Sequence, residues 1–600
     1  MPDLLIGENI IMRIIINKYQ NLILTTTYLL TLILFVSFRY DFYFALNDDV
    51  LMKDLLAGFY TGTPESRNIQ MLYPLSLIIS LLYRLIPIVP WYGFFLCICQ
   101  FGSIFIIALC SLKYCRNILK KSLLLLCQFC LIIATMLEHL IFVQYTITSA
   151  MLTAAAVFYF ITSGHKETIV AFIKVNLPAI ILIFIAFLLR PWMLLLLFPL
   201  VCVAGVFKWS QENPIFTKPN FKKYFALFGL LVLVLLVGQL VDMLAHSSAE
   251  WRKFNRFFAN RTELYDFQKI PPYDENVIFY EDIGLSYSEV NLLLNYNFGL
   301  SEKIDEDVIG EIAAYAGQIR GENLSFRERF DENLRTYYFY MTNGGEHGHY
   351  PYNSLILLGY AALLGLGNFY NRLGRIASMF LLLGGVRSGL WLFILMGDRY
   401  PPRISHSLYF VEMGILLAMF LTEVVKKVDT INRKKPLSDS IYKSFPPIIA
   451  AVAVVIALGN IPLMLDTTDK EFSSRETVNQ TWLAMQEYSR AHPDNFYFID
   501  VYSSVPYSEK LFGKPHPRPA NYDIMGGWAV KSPLHRKKMD NLIRPGISMF
   551  AALLEDNVYF INDLRFDPAW LPAYYAEQGQ AVNLERVDLI ADNLNIYKLR

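Results

Sequence analysis

The first apolar block, Leu22-Ile-Leu-Thr-Thr-Thr-Tyr-Leu-Leu-Thr-Leu-Ile-Leu-Phe-Val-Ser-Phe38, decides the fold class of this chain. It carries no charge and has about the length, roughly 17–25 residues, that crosses a hydrocarbon core. Similar blocks recur along the 600 residues, which are 54% hydrophobic and only 18% charged. Soluble domains carry about 25% charged residues. The composition therefore predicts an α-helical polytopic membrane protein and excludes a soluble, collagenous, disordered or nucleic-acid-binding chain.

About eleven transmembrane helices are predicted from these blocks. They are Leu22–Phe38, Tyr92–Leu112, Ser122–Met136, Leu140–Ile161, Ile169–Leu189, Pro191–Phe207, Tyr224–Ala245, Asn353–Tyr370, Ile376–Met396, His406–Val424 and Pro446–Leu465. The block Met71–Val89 is also apolar, but it contains Arg84 and is followed by Trp91 and Tyr92. We interpret it as a helix lying in the outer membrane interface, with a further span as the alternative.

Basic residues in the short loops indicate the orientation, because cytoplasmic loops carry an excess of lysine and arginine. The loops near 113–121, 208–223 and 425–444 show this excess. Eleven spans then place the N-terminus in the cytoplasm and the C-terminus outside. The sequence therefore predicts a multi-pass protein of the plasma membrane.

This topology divides the chain into five predicted parts. They are a cytoplasmic leader (1–21), an N-terminal transmembrane module (22–245) with a first outer loop (39–91), a large extracytoplasmic loop domain (246–352), C-terminal transmembrane helices (353–465) and an extracytoplasmic domain (466–600). In the last part, Phe496–Asp500 and Val558–Ile561 are typical of buried strands, and Trp482–Arg490 and Lys537–Leu554 are typical of helices. The tail is therefore predicted to be a small α/β domain.

An acidic pair follows the first span, in Asn47-Asp48-Asp49. Carboxylates at the outer end of a span are costly in lipid but useful when they face a polar cavity. Such a carboxylate could take the proton of a hydroxyl nucleophile, or hold a cation against a phosphate. The alternative is a turn that caps a helix starting near Val50, because Asn and Asp are favoured N-caps.

The acidic pair, the interfacial helix that opens with Tyr73-Pro74, and Trp91-Tyr92 before the next span together resemble the GT-C superfamily of membrane glycosyltransferases. Protein O-mannosyltransferases and aminoarabinose transferases are familiar members, and a bacterial branch is indicated. The large loop after the seventh span, Tyr224–Ala245, fits the same architecture. The resemblance implies transfer of a sugar from a polyprenyl-phosphate donor to an extracytoplasmic glycan, lipid or protein.

The same resemblance implies roles for the two acids. Asp48 matches the catalytic carboxylate, the general base, and Asp49 matches its neighbour, which orients the acceptor or binds a metal where one is needed. Members that use a lipid-monophosphate sugar generally do without metal, so no cofactor and no metal are expected. The second acid is Asp, where many members have Glu.

A phosphate leaving group needs fixed positive charge, which arginine supplies with planar two-point geometry. Arg190 lies between the fifth and sixth spans, and Arg399 and Arg403 lie between the ninth and tenth. We predict that they bind the donor phosphate; interfacial anchoring, or pairing with Asp398, is the alternative. Arg387 lies near the middle of the ninth span, where a charge needs a cavity or a partner, and it is a further candidate donor contact.

Four more residues are candidate contacts for the acceptor. Glu138 and His139 stand at the outer end of the third span, and His347 and His349 precede the eighth. A polar helix end or a plain loop is the alternative. A zinc site at 346–349 is disfavoured, because the spacing lacks the H-E-x-x-H pattern.

The sequence thus predicts a glycosyltransferase whose partners are a polyprenyl-phosphate sugar, an extracytoplasmic acceptor and membrane lipid, with no nucleic acid. A transporter or flippase of lipid-linked saccharides, or a polymerase or ligase, is the alternative. A transporter is expected to show internal repeats and midplane charges in both halves. We find no such repeat in the sequence.

Overall fold

The structure is a computed structural model that describes residues 2–115, 117–323, 325–342, 349–369, 373–425, 436–513 and 519–600. Its helices are α1 Pro2–Arg39, α2 Asn47–Ala57, α3 Tyr73–Leu85, α4 Trp91–Leu112, α5 Ile118–Ile141, α6 Tyr145–Thr162, α7 Ile169–Leu189, α8 Pro191–Trp209, α9 Lys218–Ala245, α10 Ala249–Phe267, α11 Val277–Asp282, α12 Tyr287–Leu294, α13 Glu306–Asn323, α14 Phe326–Thr342, α15 Tyr352–Phe369, α16 Leu373–Met396, α17 Pro402–Val425, α18 Pro436–Ala491, α19 Val501–Ser504, α20 Pro533–Leu542, α21 Met549–Ala552 and α22 Trp570–Glu577. Its strands are β1 Tyr43–Phe44, β2 Phe142–Val143, β3 Phe496–Ile499, β4 Tyr522–Ile524, β5 Val558–Asp563, β6 Leu584–Ile590 and β7 Leu594–Leu599.

Ten helices in the described part of the chain are long and apolar enough to cross a membrane. They lie in α1, α4 to α9 and α16 to α18, and they match ten of the eleven predicted spans. The eleventh, Asn353–Tyr370, corresponds to α15, whose apolar segment Tyr352–Gly367 is shorter than the other ten. The predicted fold class, a helical polytopic chain with a small sheet domain at its C-terminus, is confirmed.

The apolar block at 71–89 forms the short helix α3, of 13 residues. At 1.5 Å per residue it is about 20 Å long, less than the roughly 30 Å of a hydrocarbon core. Pro74 stands in its first turn, where a missing N–H costs nothing. Its length fits the predicted interfacial helix better than a span.

The polar regions gather at one end of the helix bundle. Strand β1 pairs in parallel with β2, which joins the first polar loop to the junction of α5 and α6. Leu55 of α2, Phe257 of α10, Ile309 of α13 and Phe560 of β5 belong to one buried apolar cluster. We call this end of the bundle, with β1, α2, α10 to α13 and the C-terminal domain, the domain face.

The C-terminal domain contains a five-stranded sheet with strand order β4-β3-β5-β7-β6. Strands β3, β4 and β5 are parallel, whereas β7 is antiparallel to β5 and β6. Strands β3 and β5 lie where the sequence predicts them. The predicted helix Trp482–Arg490 is the end of α18, which continues from the membrane segment without a break.

One predicted element of this domain is wrong. Lys537–Leu554 is not one helix but two, α20 and α21, separated by a turn. Proline at 545 disfavours helical backbone in the residue before it. Gly546 has φ +72°, a left-handed conformation that favours glycine. These two residues end the helical pattern that the apolar spacing predicts.

Candidate functional site

The acidic pair lies in the first turn of α2 and does not cap it. The helix begins at Asn47, its N-cap is Leu46, and no side chain caps it. The alternative interpretation, a capping turn before a helix at Val50, is therefore wrong. At the start of a helix the carboxylates of Asp48 and Asp49 interact favourably with the helix dipole. Since they are adjacent, they point to different sides of α2.

Asp49 faces the membrane helices and is completely buried. Its Oδ1 accepts a hydrogen bond from Tyr92 Oη at 2.8 Å and another from Tyr145 N at 3.3 Å. Burial raises the pKa of Asp49 well above its usual range, although the Tyr92 hydrogen bond opposes this effect. Asp49 thus joins α2 to α4 and α6, in an environment that favours the neutral acid.

Asp48 lies on the other side of α2 and is half-buried. Leu51 and Leu55, three and seven residues later, share its side of the helix and pack into the apolar cluster of the domain face. Among the described residues, Asp48 has no hydrogen bond or ion pair through its side chain. Within the described residues its carboxylate is therefore not engaged by another side chain.

Arg399 interacts electrostatically with the two other predicted phosphate-binding arginines and with Asp48. Burial lowers the pKa of Arg399 to about 10; the charges of Arg403 and Arg190 lower it as well, and the charge of Asp48 raises it. Arg190 also acts electrostatically on Asp49. The acidic pair thus interacts electrostatically with Arg190, at the junction of α7 and α8, and with Arg399, between α16 and α17.

Each of the three arginines has a different environment. Arg190 donates a hydrogen bond from Nη1 to Gln70 Oε1, and its guanidinium lies 4.9 Å from the centre of the Tyr145 ring. Arg399 forms an ion pair with Asp266 of α10, not with Asp398. Arg403 is half-buried and has no ion pair or side-chain hydrogen bond within the described ranges. Arg403 is thus the most available of the three for a ligand.

Arg387 forms an ion pair with a carboxylate inside the helix bundle. Its Nε lies 2.9 Å from Glu412 Oε2, and both side chains are buried. Glu412 Oε1 also accepts a hydrogen bond from Tyr360 Oη at 2.7 Å. A charge within a span is expected to face either a cavity or a charged partner. The structure shows the partner, which is Glu412.

Two of the four predicted acceptor residues, His139 and His349, contact α17. His139 Nε2 lies 2.7 Å from Nδ1 of His406, and His349 Nδ1 lies 3.0 Å from Tyr409 Oη. Glu138, beside His139, is half-buried. His347 lies outside the described residues. No described contact joins Glu138, His139 or His349 to the acidic pair.

No family model matches the sequence. No curated protein matches it either. A crystal structure of ArnT from Cupriavidus metallidurans in the apo state is similar in fold to this chain over 96% of this chain and 97% of ArnT, with a TM-score of 0.40 and 11% identity. The likeness concerns the fold alone.

The described residues around the acidic pair offer few ligands for a metal ion. In the part of the chain that the structure describes, no three His, Cys, Asp or Glu side chains group as metal ligands do. Asp49 Oδ1 is occupied by its two hydrogen bonds, whereas its buried Oδ2 has no partner. The carboxylate of Asp48 and the Oδ2 of Asp49 are the oxygens of the pair without a described partner, but they lie on different sides of α2.

The sequence did not predict a second network that holds α2, one helical turn after Asp49. Lys53 pairs with Asp54 at 2.9 Å and with Glu509 of the C-terminal domain, and all three are mostly buried. Gln486 of α18 donates a hydrogen bond to Glu509 at 2.9 Å. Burial raises the pKa of Asp54 to about 6, although the charge of Lys53 opposes this. Lys53 thus links the acid-bearing helix to the C-terminal domain.

Proposed function

We propose that this chain transfers a sugar from a polyprenyl-phosphate donor to an extracytoplasmic acceptor, with Asp48 as general base. The observation that carries this proposal is the juxtaposition of the acidic pair and Arg190 around Tyr145: Asp49 accepts a hydrogen bond from Tyr145 N, and the Arg190 guanidinium lies 4.9 Å from the centre of the Tyr145 ring. Asp48, beside Asp49, also interacts electrostatically with Arg399. A free carboxylate beside fixed positive charge is what transfer from a phosphate needs. The excess of basic residues in the loops of the opposite face supports an extracytoplasmic domain face.

In the proposed reaction, the acceptor hydroxyl oxygen bonds to the anomeric carbon of the sugar. The bond between that carbon and the donor's phosphate oxygen breaks, and the leaving polyprenyl phosphate keeps its electron pair. Asp48 accepts the hydroxyl proton. The three arginines stabilise the negative charge on the leaving phosphate, and the ion pair with Asp266 orients Arg399 beforehand.

A transporter or flippase of the same lipid-linked sugar would leave the donor intact. The discriminating experiment reconstitutes the full chain in liposomes that contain a panel of labelled polyprenyl-phosphate sugars, and supplies acceptors as a cell-envelope extract. We expect release of polyprenyl phosphate together with labelled acceptor. Movement of intact donor between leaflets, without release, would contradict the proposal.

Arg403→Ala is predicted to weaken binding of polyprenyl phosphate by about tenfold to a hundredfold, because a charge-assisted contact is lost. Since Arg403 has no described partner to leave behind, the fold should persist. The exposed Arg586 of β6, replaced by Ala, is the matched control. Titration of both variants with polyprenyl phosphate checks this, and equal affinities would remove Arg403 from the donor site.

Removal of divalent cations is predicted to leave transfer unchanged. The proposed donor carries one phosphate, and the proposal assigns the stabilisation of its charge to three arginines, which need no cation beside them. The measurement is the transfer rate after dialysis against EDTA, with the same sample re-supplied with Mg²⁺ or Mn²⁺ as control. A rate that falls with EDTA and returns with the cation would assign the two aspartates to a metal.

A further inference from the structure

Arg261 of α10 is a buried cation without a carboxylate partner. Only 7% of its surface is exposed, and among the described residues it has no ion pair. Its Nη2 makes one long hydrogen bond, of 3.4 Å, to Gly526 O, and its buried Nε has no partner. A buried charge in a protein is usually paired, because removing it from water costs several kcal/mol. Among the described residues, Arg261 therefore lacks the anionic partner that a buried arginine usually has.

Aromatic rings hold the guanidinium of Arg261 in place. Its Cζ lies 4.2 Å from the ring centre of Trp528 and 5.0 Å from that of Phe298. Such contacts stabilise a cation through the ring faces, and the N–H groups at the guanidinium edge are not used by them. This edge is the part that binds carboxylate or phosphate oxygens in pairs.

Arg261 lies on α10, the helix that also carries Asp266, the ion-pair partner of Arg399. Asp266, five residues further along α10, pairs with Arg399; five residues rise about 7.5 Å along a helix. Asp48 lies on the side of α2 that packs against the domain-face cluster, to which α10 also contributes. Burial lowers the pKa of Arg261 to about 10, and the nearby charge of Asp48 raises it. Asp48 therefore lies within electrostatic reach of both Arg261 and Arg399.

We infer that Arg261 binds an anionic group, a carboxylate or a phosphate, of the acceptor. The inference rests on the proposed function and deepens it, because it assigns the acceptor to the class of charged saccharides or phosphorylated molecules. In this arrangement the donor phosphate binds Arg190, Arg399 and Arg403, and the acceptor anion binds Arg261. Asp48 interacts electrostatically with Arg399 on the donor side and with Arg261 on the acceptor side. A hydroxyl held in this way would be presented to the carboxylate that deprotonates it.

The test measures binding and needs no turnover, so its failure is distinct from failure of the proposed function. Glucose 1-phosphate, glucuronate and neutral glucose are titrated into the purified full chain. The readout is the emission of Trp528, isolated by subtracting a Trp528→Phe variant. Saturable binding of at least one anionic sugar, without binding of glucose, is expected. Which of the two anions binds decides between phosphate and carboxylate.

Variants separate the Arg261 site from the donor site. Arg261→Gln is expected to weaken anion binding by at least about tenfold. Arg403→Ala should retain binding, and Arg261→Lys should fold and bind with intermediate affinity. Polyprenyl phosphate should bind Arg261→Gln as it binds the wild type. The inference is overturned if no anion binds the wild type, if Arg261→Gln binds the anion equally well, or if that variant loses the donor instead.

Discussion

Asp48→Asn is expected to lower the rate of sugar transfer by about two to four orders of magnitude, the usual contribution of a general base. Donor affinity should be unchanged or higher, because the substitution removes a negative charge beside Arg399. The side chain is half-buried and has no described hydrogen-bond partner, so the fold should tolerate an amide of the same shape. Transfer rate and donor binding are measured on the same preparation.

Two control variants sharpen this prediction. Asp49→Asn should keep most of the activity, because Asp49 is buried where the neutral acid is favoured and an amide oxygen can still accept from Tyr92. Asp556→Asn changes an exposed carboxylate of the C-terminal domain and should have no effect. If Asp48→Asn transfers sugar as fast as the wild type, Asp48 is not the base. If Asp49→Asn is the inactive variant, the roles of the two acids are exchanged.

Lys53→Met is expected to destabilise the folded chain by about 3–5 kcal/mol, the cost of removing one partner from a buried ion pair. Asp54 and Glu509 would keep their buried positions without the cation that lies between them. Burial already raises the pKa of Asp54 in the folded state, and without the opposing charge of Lys53 it would rise further. A group whose pKa is raised by folding loses stability as the pH rises, so the defect should be larger at pH 8 than at pH 5.

Thermal unfolding of the detergent-solubilised chain measures this effect, with matched controls. Glu509→Gln added to Lys53→Met should restore part of the stability, because one uncompensated charge is then removed. Lys470→Met breaks an exposed pair with Asp466 and should cost less than about 1 kcal/mol. Equal losses in Lys53→Met and Lys470→Met would show that the network does not hold α2.

The membrane fold and the arginine cluster could be predicted because both follow from local patterns. Apolar blocks of spanning length predict the membrane helices. Because successive spanning helices run in opposite directions, every second loop lies on the same side of the membrane. Arg190 and Arg399 are far apart in sequence, yet both occupy loops of the domain face, so the topology alone brings them together. The same reasoning places Asp48 at the end of the first span.

Asp49 and Lys53 show what the sequence does not reveal. Capping preference favours an Asp before a helix, but the structure starts α2 two residues before Asp49. Its burial then depends on Tyr92 and Tyr145, which come from other helices. Lys53 and Glu509 are 456 residues apart and share no repeat or motif. Pairings of this kind arise only in the assembled fold.

The position of Arg261 could be predicted from the sequence only in part. It stands in the stretch Asn260-Arg261-Thr262, and its apolar neighbours Phe254, Phe257 and Leu264 recur at helical spacing. That pattern predicts the buried side of α10 and places an arginine on it. What the pattern does not show is that no carboxylate in the described chain pairs with this arginine.

A single-turnover experiment tests the central claim most directly. The full chain is loaded with one equivalent of labelled polyprenyl-phosphate sugar, mixed with envelope acceptors, and quenched over time, for the wild type and for Asp48→Asn. The account predicts that the wild type releases polyprenyl phosphate and glycosylated acceptor in equal amounts, while the variant keeps its donor bound and intact. Intact donor in both proteins, or equal release from both, would contradict it.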